Sequence, residues 1–200
     1  MAADSTIHAS AVLAGPKAVL IRGPSGSGKS LLAWNLINAA SQGLLPFTRL
    51  VGDDRLQVVG ESGRLLVRPA QALSGLIEIH GLGIRRLPFE SIAVVGWVVD
   101  LAAADAARLP AAEATTASIA GVTIPRLGVA AETAALPMVL AALKTSPAGN
   151  CLSRKSGLPP GTPTKPRKLT IQGLGSRTVQ KRTPRAHLGP TFPQCSRTPI

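Results

Sequence analysis

Hydrophobic and polar positions in the first half of the chain predict a strand, a turn and a helix in succession. The apolar run Ala18–Ile21 is short and suits a buried parallel strand. A glycine-rich stretch follows it. Beyond that stretch, apolar residues recur at roughly helical spacing, at Leu31, Leu32, Leu36, Ile37 and Ala40.

Further segments have the pattern of strands. Residues 55–69 predict a hairpin that turns at Gly60–Gly63, and Leu76–Ile79 predicts another strand. The run Ile92–Val99 is apolar enough for a central strand that is buried on both faces.

The last patterned segments predict one more strand and one more helix. We expect Gly121–Pro125 to be a short strand that ends at its proline. Residues 132–144 suit a helix that Pro137 kinks or restarts. The whole pattern predicts an α/β domain with a mixed sheet and few helices.

Composition divides the chain near Lys144. The net charge is +12, yet all 10 Asp and Glu residues lie within residues 1–144, which are therefore nearly neutral. Residues 145–200 are basic and rich in proline, and they contain no acidic residue. We expect residues 1–144 to form one globular domain and residues 145–200 to be a disordered tail.

Two interpretations of the basic tail remain open. It could be an arm that contacts nucleic acid or another polyanion, although a single aromatic residue, Phe192, offers no stacking platform for bases. It could instead have no evolved role, for example because a change of reading frame replaced the native end. The abrupt change in composition favours the second interpretation.

The sequence predicts a cytoplasmic protein without a membrane segment. Residues 1–10 lack the basic patch and apolar stretch of a secretory signal. The longest apolar run is too short to cross a bilayer. Both cysteines, Cys151 and Cys195, lie in the tail, so the domain has no disulfide framework.

The glycine-rich stretch matches the phosphate-binding pattern G-x-x-x-x-G-K-[ST]. Its residues are Gly23, Pro24, Ser25, Gly26, Ser27, Gly28, Lys29 and Ser30. Between a strand and a helix, such a loop directs successive backbone N–H groups at one anion. Lys29 would reach the outer phosphates and the Ser30 hydroxyl would ligate Mg²⁺. The motif predicts a nucleoside triphosphate site in a P-loop domain, and by itself it does not specify a reaction.

Three other positions are candidates for chemistry. Asp53 and Asp54 follow an apolar pair, where an aspartate can hold Mg²⁺ or accept a proton, although aspartate is also common in solvated turns. Glu78 interrupts an apolar strand, which is costly for a buried charge but ordinary on a wet face. His8 is a lone histidine, which is more often incidental than catalytic, and its spacing from His80 makes no metal site.

Together these segments resemble HPr kinase/phosphorylase, a family that phosphorylates a serine of the small phosphocarrier protein HPr in bacterial sugar-transport regulation. The resemblance covers roughly residues 5–130. The chain is similar to the short form of the family, which consists of the kinase domain alone. Its most specific part is Glu-x-x-Gly-Leu-Gly-Ile. The segments that carry it, in family order, are His8-Ala9-Ser10, Gly23 to Ser30, Leu50 to Asp54 and Gly75 to Ile84.

The resemblance implies a role for each matching residue. ATP is held by Lys29 and the loop amides, and Mg²⁺ by Ser30 and Glu78. Asp53 takes the proton from the substrate serine and returns it in the reverse reaction. His8 and Arg108 assist, with Arg108 supported only by its Arg-Leu pair. The resemblance also implies HPr as partner and a possible homo-hexamer.

Two departures from the family pattern bear on the activity, and the second of them favours kinase over phosphorylase activity. His80 stands where members usually have arginine. After Val122-Thr123-Ile124-Pro125-Arg126, the continuation Leu127-Gly128-Val129 lacks the usual Pro-Gly-Arg-Asn, in the region linked to dephosphorylation.

The function expected from the sequence is an ATP-dependent serine kinase acting on HPr. One alternative is another P-loop kinase that phosphorylates a small molecule. A second is a nucleotide-dependent nucleic-acid-binding protein that uses the basic tail. The nearly neutral domain makes nucleic acid the less favoured partner.

Overall fold

The structure, a computed structural model, describes residues 5–146. Apart from Thr145 and Ser146, the expectations for the basic tail, including its disorder, lie outside these residues. Residues 5–146 form eleven strands and two helices, with short 3₁₀ turns at Gln71–Leu73 and Ala112–Thr115. In chain order the elements are β1 (Ser5–His8), β2 (Ser10–Ala14), β3 (Lys17–Arg22), α1 (Lys29–Ser41), β4 (Thr48–Gly52), β5 (Arg55–Glu61), β6 (Arg64–Pro69), β7 (Leu76–Ile79), β8 (Gly83–Arg86), β9 (Ala93–Leu101), β10 (Thr116–Ile119), β11 (Val122–Val129) and α2 (Ala135–Lys144).

Nine of these strands form one mixed sheet in the order β1-β5-β6-β9-β3-β2-β4, with β11 pairing both β9 and β10. The centre is parallel, because β9 runs alongside β3 on one side and β11 on the other. The remaining pairs in the sheet are antiparallel. Strands β7 and β8 form a separate hairpin. The predicted α/β fold with a mixed sheet and few helices is confirmed.

The sheet buries apolar side chains on both faces. On β3, Val19 and Ile21 pack with α1 and α2, whereas Ala18 and Leu20 pack on the opposite face. The apolar run at β9 divides in the same way, as expected for a strand covered on both sides. This explains why the central strands lack the alternation of a half-exposed strand.

Strand β11 does not end at its proline, as the sequence analysis expected. Residues Val122–Pro125 pair with β10, and Arg126–Val129 pair with β9. Pro125 is therefore the last residue of one ladder, and the next residue begins the other. A proline is tolerated where strand pairing changes, because its missing N–H interrupts neither ladder in mid-course.

Helix α2 is also simpler than expected. It begins at Ala135, so Pro137 occupies its third position and causes no kink or restart. Proline is compatible with the first turn, where backbone N–H groups have no intrahelical partner. Within residues 5–146, neither helix is long and apolar enough to cross a membrane.

Helical spacing alone assigned too many leucines to the core face of α1. Leu32 and Leu36 are buried, but the side chain of Leu31 is 56% exposed. Successive helical residues are about 100° apart, so a helix with one buried stripe cannot bury Leu31 together with both of the others.

We expect Leu36→Ala to lower the free energy of unfolding by about 2–5 kcal/mol, because it leaves a cavity in the core. Leu31→Ala is the matched control on the same helix. It should change the unfolding free energy by no more than about 0.5 kcal/mol, as is usual at exposed positions. Urea denaturation of the two variants and the parent chain measures this difference. Equal losses would contradict the assignment of the buried face.

Candidate active site

The loop Gly23–Ser30 leaves the carboxyl end of β3 and turns into α1. Gly23 has φ +150, and a Cβ at this position would lie 2.6 Å from Ser27 Oγ and 2.9 Å from the carbonyl oxygen of Leu101. Only glycine allows the loop to approach β9 this closely. Gly28, at φ +88, then makes the left-handed step into the helix.

The amino end of α1 has the features of an anion site. No side chain caps it, and its first turn contains no acidic residue. The first amides therefore remain available at the positive end of the helix dipole. The Ser27 hydroxyl is buried in the loop without a hydrogen-bond partner among the described residues. A phosphate group in the loop would satisfy donors of this kind.

Lys29 is folded into the loop rather than extended into solvent. Its side chain is buried, and Nζ donates to the carbonyl oxygens of Gly23 at 3.1 Å and Pro24 at 3.0 Å. An ammonium group has three N–H donors. Two of them hold the start of the loop, which leaves the third for a ligand.

Asp53 lies at the centre of a buried polar cluster. Its carboxylate accepts hydrogen bonds from Ser10 Oγ at 2.5 Å, from Ser30 Oγ at 2.9 and 3.0 Å, and from the Glu78 backbone N–H at 3.1 Å. Only 5% of Asp53 is exposed. The interpretation of Asp53 as part of a solvated turn is therefore wrong. The cluster joins β2, α1, β7 and the connection between β4 and β5.

Asp54 has a different environment from its neighbour. Its φ of +67 turns the chain into β5, a conformation that aspartate tolerates better than most residues. The carboxylate is 58% exposed and lies 2.8 Å from Nδ1 of His8. The structure thus places His8 beside Asp54, one residue from Asp53.

Glu78 reaches the cluster through its backbone. Its N–H donates to Asp53, while its side chain lies on the exposed side of β7. No group of three or more His, Cys, Asp or Glu side chains suited to a metal occurs within residues 5–146. A magnesium ion here would therefore need phosphate or water oxygens besides Ser30 and Glu78, as is usual for Mg²⁺ at nucleotide sites.

Arg108 lies in the exposed loop between β9 and β10. Within the described residues, no hydrogen bond or ion pair joins it to Asp53. The start of this loop is close to the phosphate-binding loop, because Leu101 precedes it and contacts the Gly23 position. Its path is fixed by a backbone hydrogen bond from Ala103 to Val129. The structure thus positions the loop of Arg108, and within residues 5–146 its guanidinium group has no hydrogen bond or ion pair.

A network of charges joins the carboxyl ends of β3 and β9 to Arg126 on β11. Asp100 on β9 accepts two hydrogen bonds from Arg22, both at 2.7 Å, and one from Arg126 at 2.5 Å. Arg126 also binds both oxygens of Asp105 and the carbonyl oxygen of Ala114. The network therefore connects Arg22, which precedes the phosphate-binding loop, with Asp105 and Ala114. These two residues lie on either side of Arg108 in its loop.

The network lowers the pKa of Asp100. Burial by itself raises that pKa, but the hydrogen bonds and charges of Arg22 and Arg126 outweigh it. The folded-state pKa is therefore below the unfolded one. The ion pairs stabilise the fold above the unfolded pKa of aspartate, and this stabilisation is lost as the pH falls through the folded pKa.

Two parts of the site were missed in the sequence. Ser10 is fully buried and supports Asp53, and its signal was a polar residue in an otherwise apolar strand. The second part is the pair of Arg22, the last residue of β3, and Asp100, the penultimate residue of β9. Functional groups are common at the carboxyl ends of parallel strands, so both positions carried a signal. Their pairing depends on the register between β3 and β9, which sequence patterns do not specify.

Comparisons with known proteins show the fold. Neither protein-family models nor curated proteins match the chain. Its structure is similar to a solved structure of the Hpr(Ser) kinase/phosphatase from Coxiella burnetii. The TM-score is 0.55 and the sequence identity 23%, and the match covers 70% of this chain and 93% of that chain. The two chains share the mixed-sheet α/β fold, so the fold class is confirmed and the family resemblance is supported at the level of the fold.

We expect Arg126→Met to lower the free energy of unfolding at pH 7 by about 2 kcal/mol or more, since it removes charged hydrogen bonds from a largely buried carboxylate. Asp105→Asn is the control. It removes the charge of the exposed carboxylate that pairs with the same guanidinium group, so it should lower the free energy of unfolding by less. Chemical denaturation of both variants measures the two losses.

The same comparison repeated in acid tests the cause. Below the folded pKa of Asp100 the parent chain has lost its ion pairs, so the difference between parent and Arg126→Met should narrow. A difference that stays constant as the pH falls would show that Arg126 acts through packing alone.

Proposed function

We propose that residues 1–144 form a kinase domain of the HPr kinase/phosphorylase type. Its reaction is the ATP- and Mg²⁺-dependent phosphorylation of a serine of HPr or an HPr-like phosphocarrier protein. The observation that carries this proposal is the direct hydrogen bond between Ser30, the last residue of the phosphate-binding loop, and Asp53. It supports the proposal because Ser30 belongs to the end of the loop where the outer phosphates of a nucleotide would lie. The likeness in fold to an Hpr(Ser) kinase/phosphatase supports the same function.

The residues present fit a nucleoside triphosphate with Mg²⁺. Free amides at the start of α1, the unpartnered Ser27 hydroxyl and the third N–H of Lys29 are donors for phosphate oxygens. Ser30 and Glu78 supply the hydroxyl and carboxylate oxygens for the metal. When bound, Mg²⁺ neutralises charge on the phosphates.

Asp53 is the proposed base for the transfer. Two carboxylate oxygens offer about four acceptor sites, and the bonds from Ser10, Ser30 and Glu78 fill them only because the single Ser30 O–H is shared between both oxygens. If Ser30 bonds one oxygen alone, the fourth site accepts the substrate hydroxyl. The serine hydroxyl gives its proton to Asp53 while its oxygen forms a bond to the γ-phosphorus of ATP. The bond from that phosphorus to the bridging oxygen breaks, which gives phosphoserine and ADP. In the reverse reaction Asp53 returns the proton.

The remaining assignments follow the family resemblance. His8, paired with Asp54 beside the cluster, and Arg108, on the loop positioned by Arg126, assist the transfer. Phosphorylase activity is weaker than kinase activity, because the segment after Arg126 departs from the family pattern. We propose a cytoplasmic enzyme that assembles as a homo-hexamer.

Purified HPr incubated with this protein and Mg-ATP should gain one phosphate on a serine, detected by mass spectrometry. Asp53→Asn should slow the transfer by about 10²–10⁴-fold, the usual contribution of a general base. The isosteric amide preserves the volume of the buried cluster. Circular dichroism and Mg-ATP binding of the variant then separate lost chemistry from lost folding.

Asp54→Asn is the matched control, since it changes the neighbouring carboxylate, which pairs with His8 and has no hydrogen bond to the loop within residues 5–146. It should slow the transfer by less than about tenfold, as expected for a surface charge pair. Equal effects of the two variants would contradict the assignment of Asp53. Phosphate transfer to small hydroxyl compounds but not to HPr would identify a small-molecule kinase instead.

A further inference from the structure

A cavity of about 440 Å³ adjoins the phosphate-binding loop, and its lining beyond Gly26–Gly28 has no role in the site described above. One wall is the loop itself, at Gly26–Gly28, and another is the side of α1 that carries Leu31 and Asn35. The end of β9 and residues 129–136, which join β11 to α2, close it. Its volume is in the range of about 300–1,000 Å³ that is typical of small-molecule sites.

The lining is apolar with few polar side chains. Leu101, Val129 and Leu136 contribute the apolar walls, and the exposed Leu31 lies at the helix side. Asn35 contributes an amide that is only partly buried. Within residues 5–146, no hydrogen bond involves the side chain of Asn35. A flat heterocycle could pack on these leucines, and the amide could then bind its polar edge.

The orientation of a bound polyphosphate follows from what lies on each side of the loop: Asp53 on one side and the cavity on the other. Ser30 belongs to the end of the loop that meets Asp53, and neither Lys29, Ser30 nor Asp53 lines the cavity. The phosphate that is transferred must lie beside Asp53. The other end of the same molecule therefore leaves the loop on its other side, over Gly26–Gly28, where the cavity begins.

We propose that this cavity holds the nucleoside of the phosphate donor and that Asn35 selects adenine over guanine. This inference rests on the proposed function of the loop. An amide presents one acceptor and one donor side by side, which match the amino group and the adjacent ring nitrogen of adenine. Guanine presents two acceptors, O6 and N7, at the corresponding edge, so the amide can pair with only one of them.

Calorimetric titration of the full chain with Mg²⁺ and three probes tests the proposal. The probes are ATP, GTP and inorganic tripolyphosphate, which has the phosphates but no nucleoside. The parent chain should bind ATP more tightly than GTP or tripolyphosphate. Asn35→Leu, which keeps the size of the side chain, should weaken ATP binding about tenfold and remove the preference over GTP. Tripolyphosphate binding should stay unchanged.

Asn38→Leu is the matched control, because Asn38 lies on the same helix but does not line the cavity. It should leave the affinities for all three probes unchanged. The proposal is overturned if Asn35→Leu leaves ATP binding intact, or if the parent binds ATP no better than tripolyphosphate. In the second case, tight binding of tripolyphosphate would still support phosphate binding by the loop, so only the nucleoside pocket would be refuted. Failure to bind any probe would overturn both the pocket and the proposed function.

Discussion

The site depends on one buried carboxylate, that of Asp53. Removing a carboxylate from water costs several kcal/mol unless hydrogen bonds compensate for it. Asp53 obtains these bonds from Ser10, Ser30 and the backbone of Glu78. Because its donors come from three separate elements, satisfying this one group aligns strand β2, the helix of the phosphate loop and the β7–β8 hairpin. The same requirement that stabilises the cluster therefore places a carboxylate beside Ser30, the last residue of the glycine-rich loop.

The parallel centre of the sheet provides the second constraint. Strands β3, β9 and β11 all end on the side of the sheet where the loop begins. Arg22 at the end of β3 and Arg126 within β11 both pair with Asp100 near the end of β9, so these charges are held in place rather than left in solvent. The loop therefore starts from a fixed point, and the segment that carries Arg108 is held at both of its ends by Arg126. Fixed positions of this kind are what phosphoryl transfer requires of a protein, since its catalysis is mostly positioning and charge stabilisation.

Features encoded in contiguous residues could be predicted from the sequence, and features that depend on register could not. The loop, α1, the β5–β6 hairpin and the buried β9 are each specified by a local pattern, and the structure contains all of them. The hydrogen bond from Ser10 to Asp53 spans 43 positions, and the pair of Arg22 and Asp100 spans 78. Such pairs arise only when the strands adopt one register. Pro125 was misjudged for the same reason, because its tolerance depends on which strand its neighbours pair with.

The central claim is that the loop and Asp53 form one site with the transferred phosphate between them. A crystal structure with Mg²⁺ and a non-hydrolysable ATP analogue tests it most directly. The account predicts that the β- and γ-phosphates lie within Gly23–Ser30 and that the γ-phosphate faces Asp53. A γ-phosphate directed away from Asp53, or a nucleotide bound outside the loop, would contradict it.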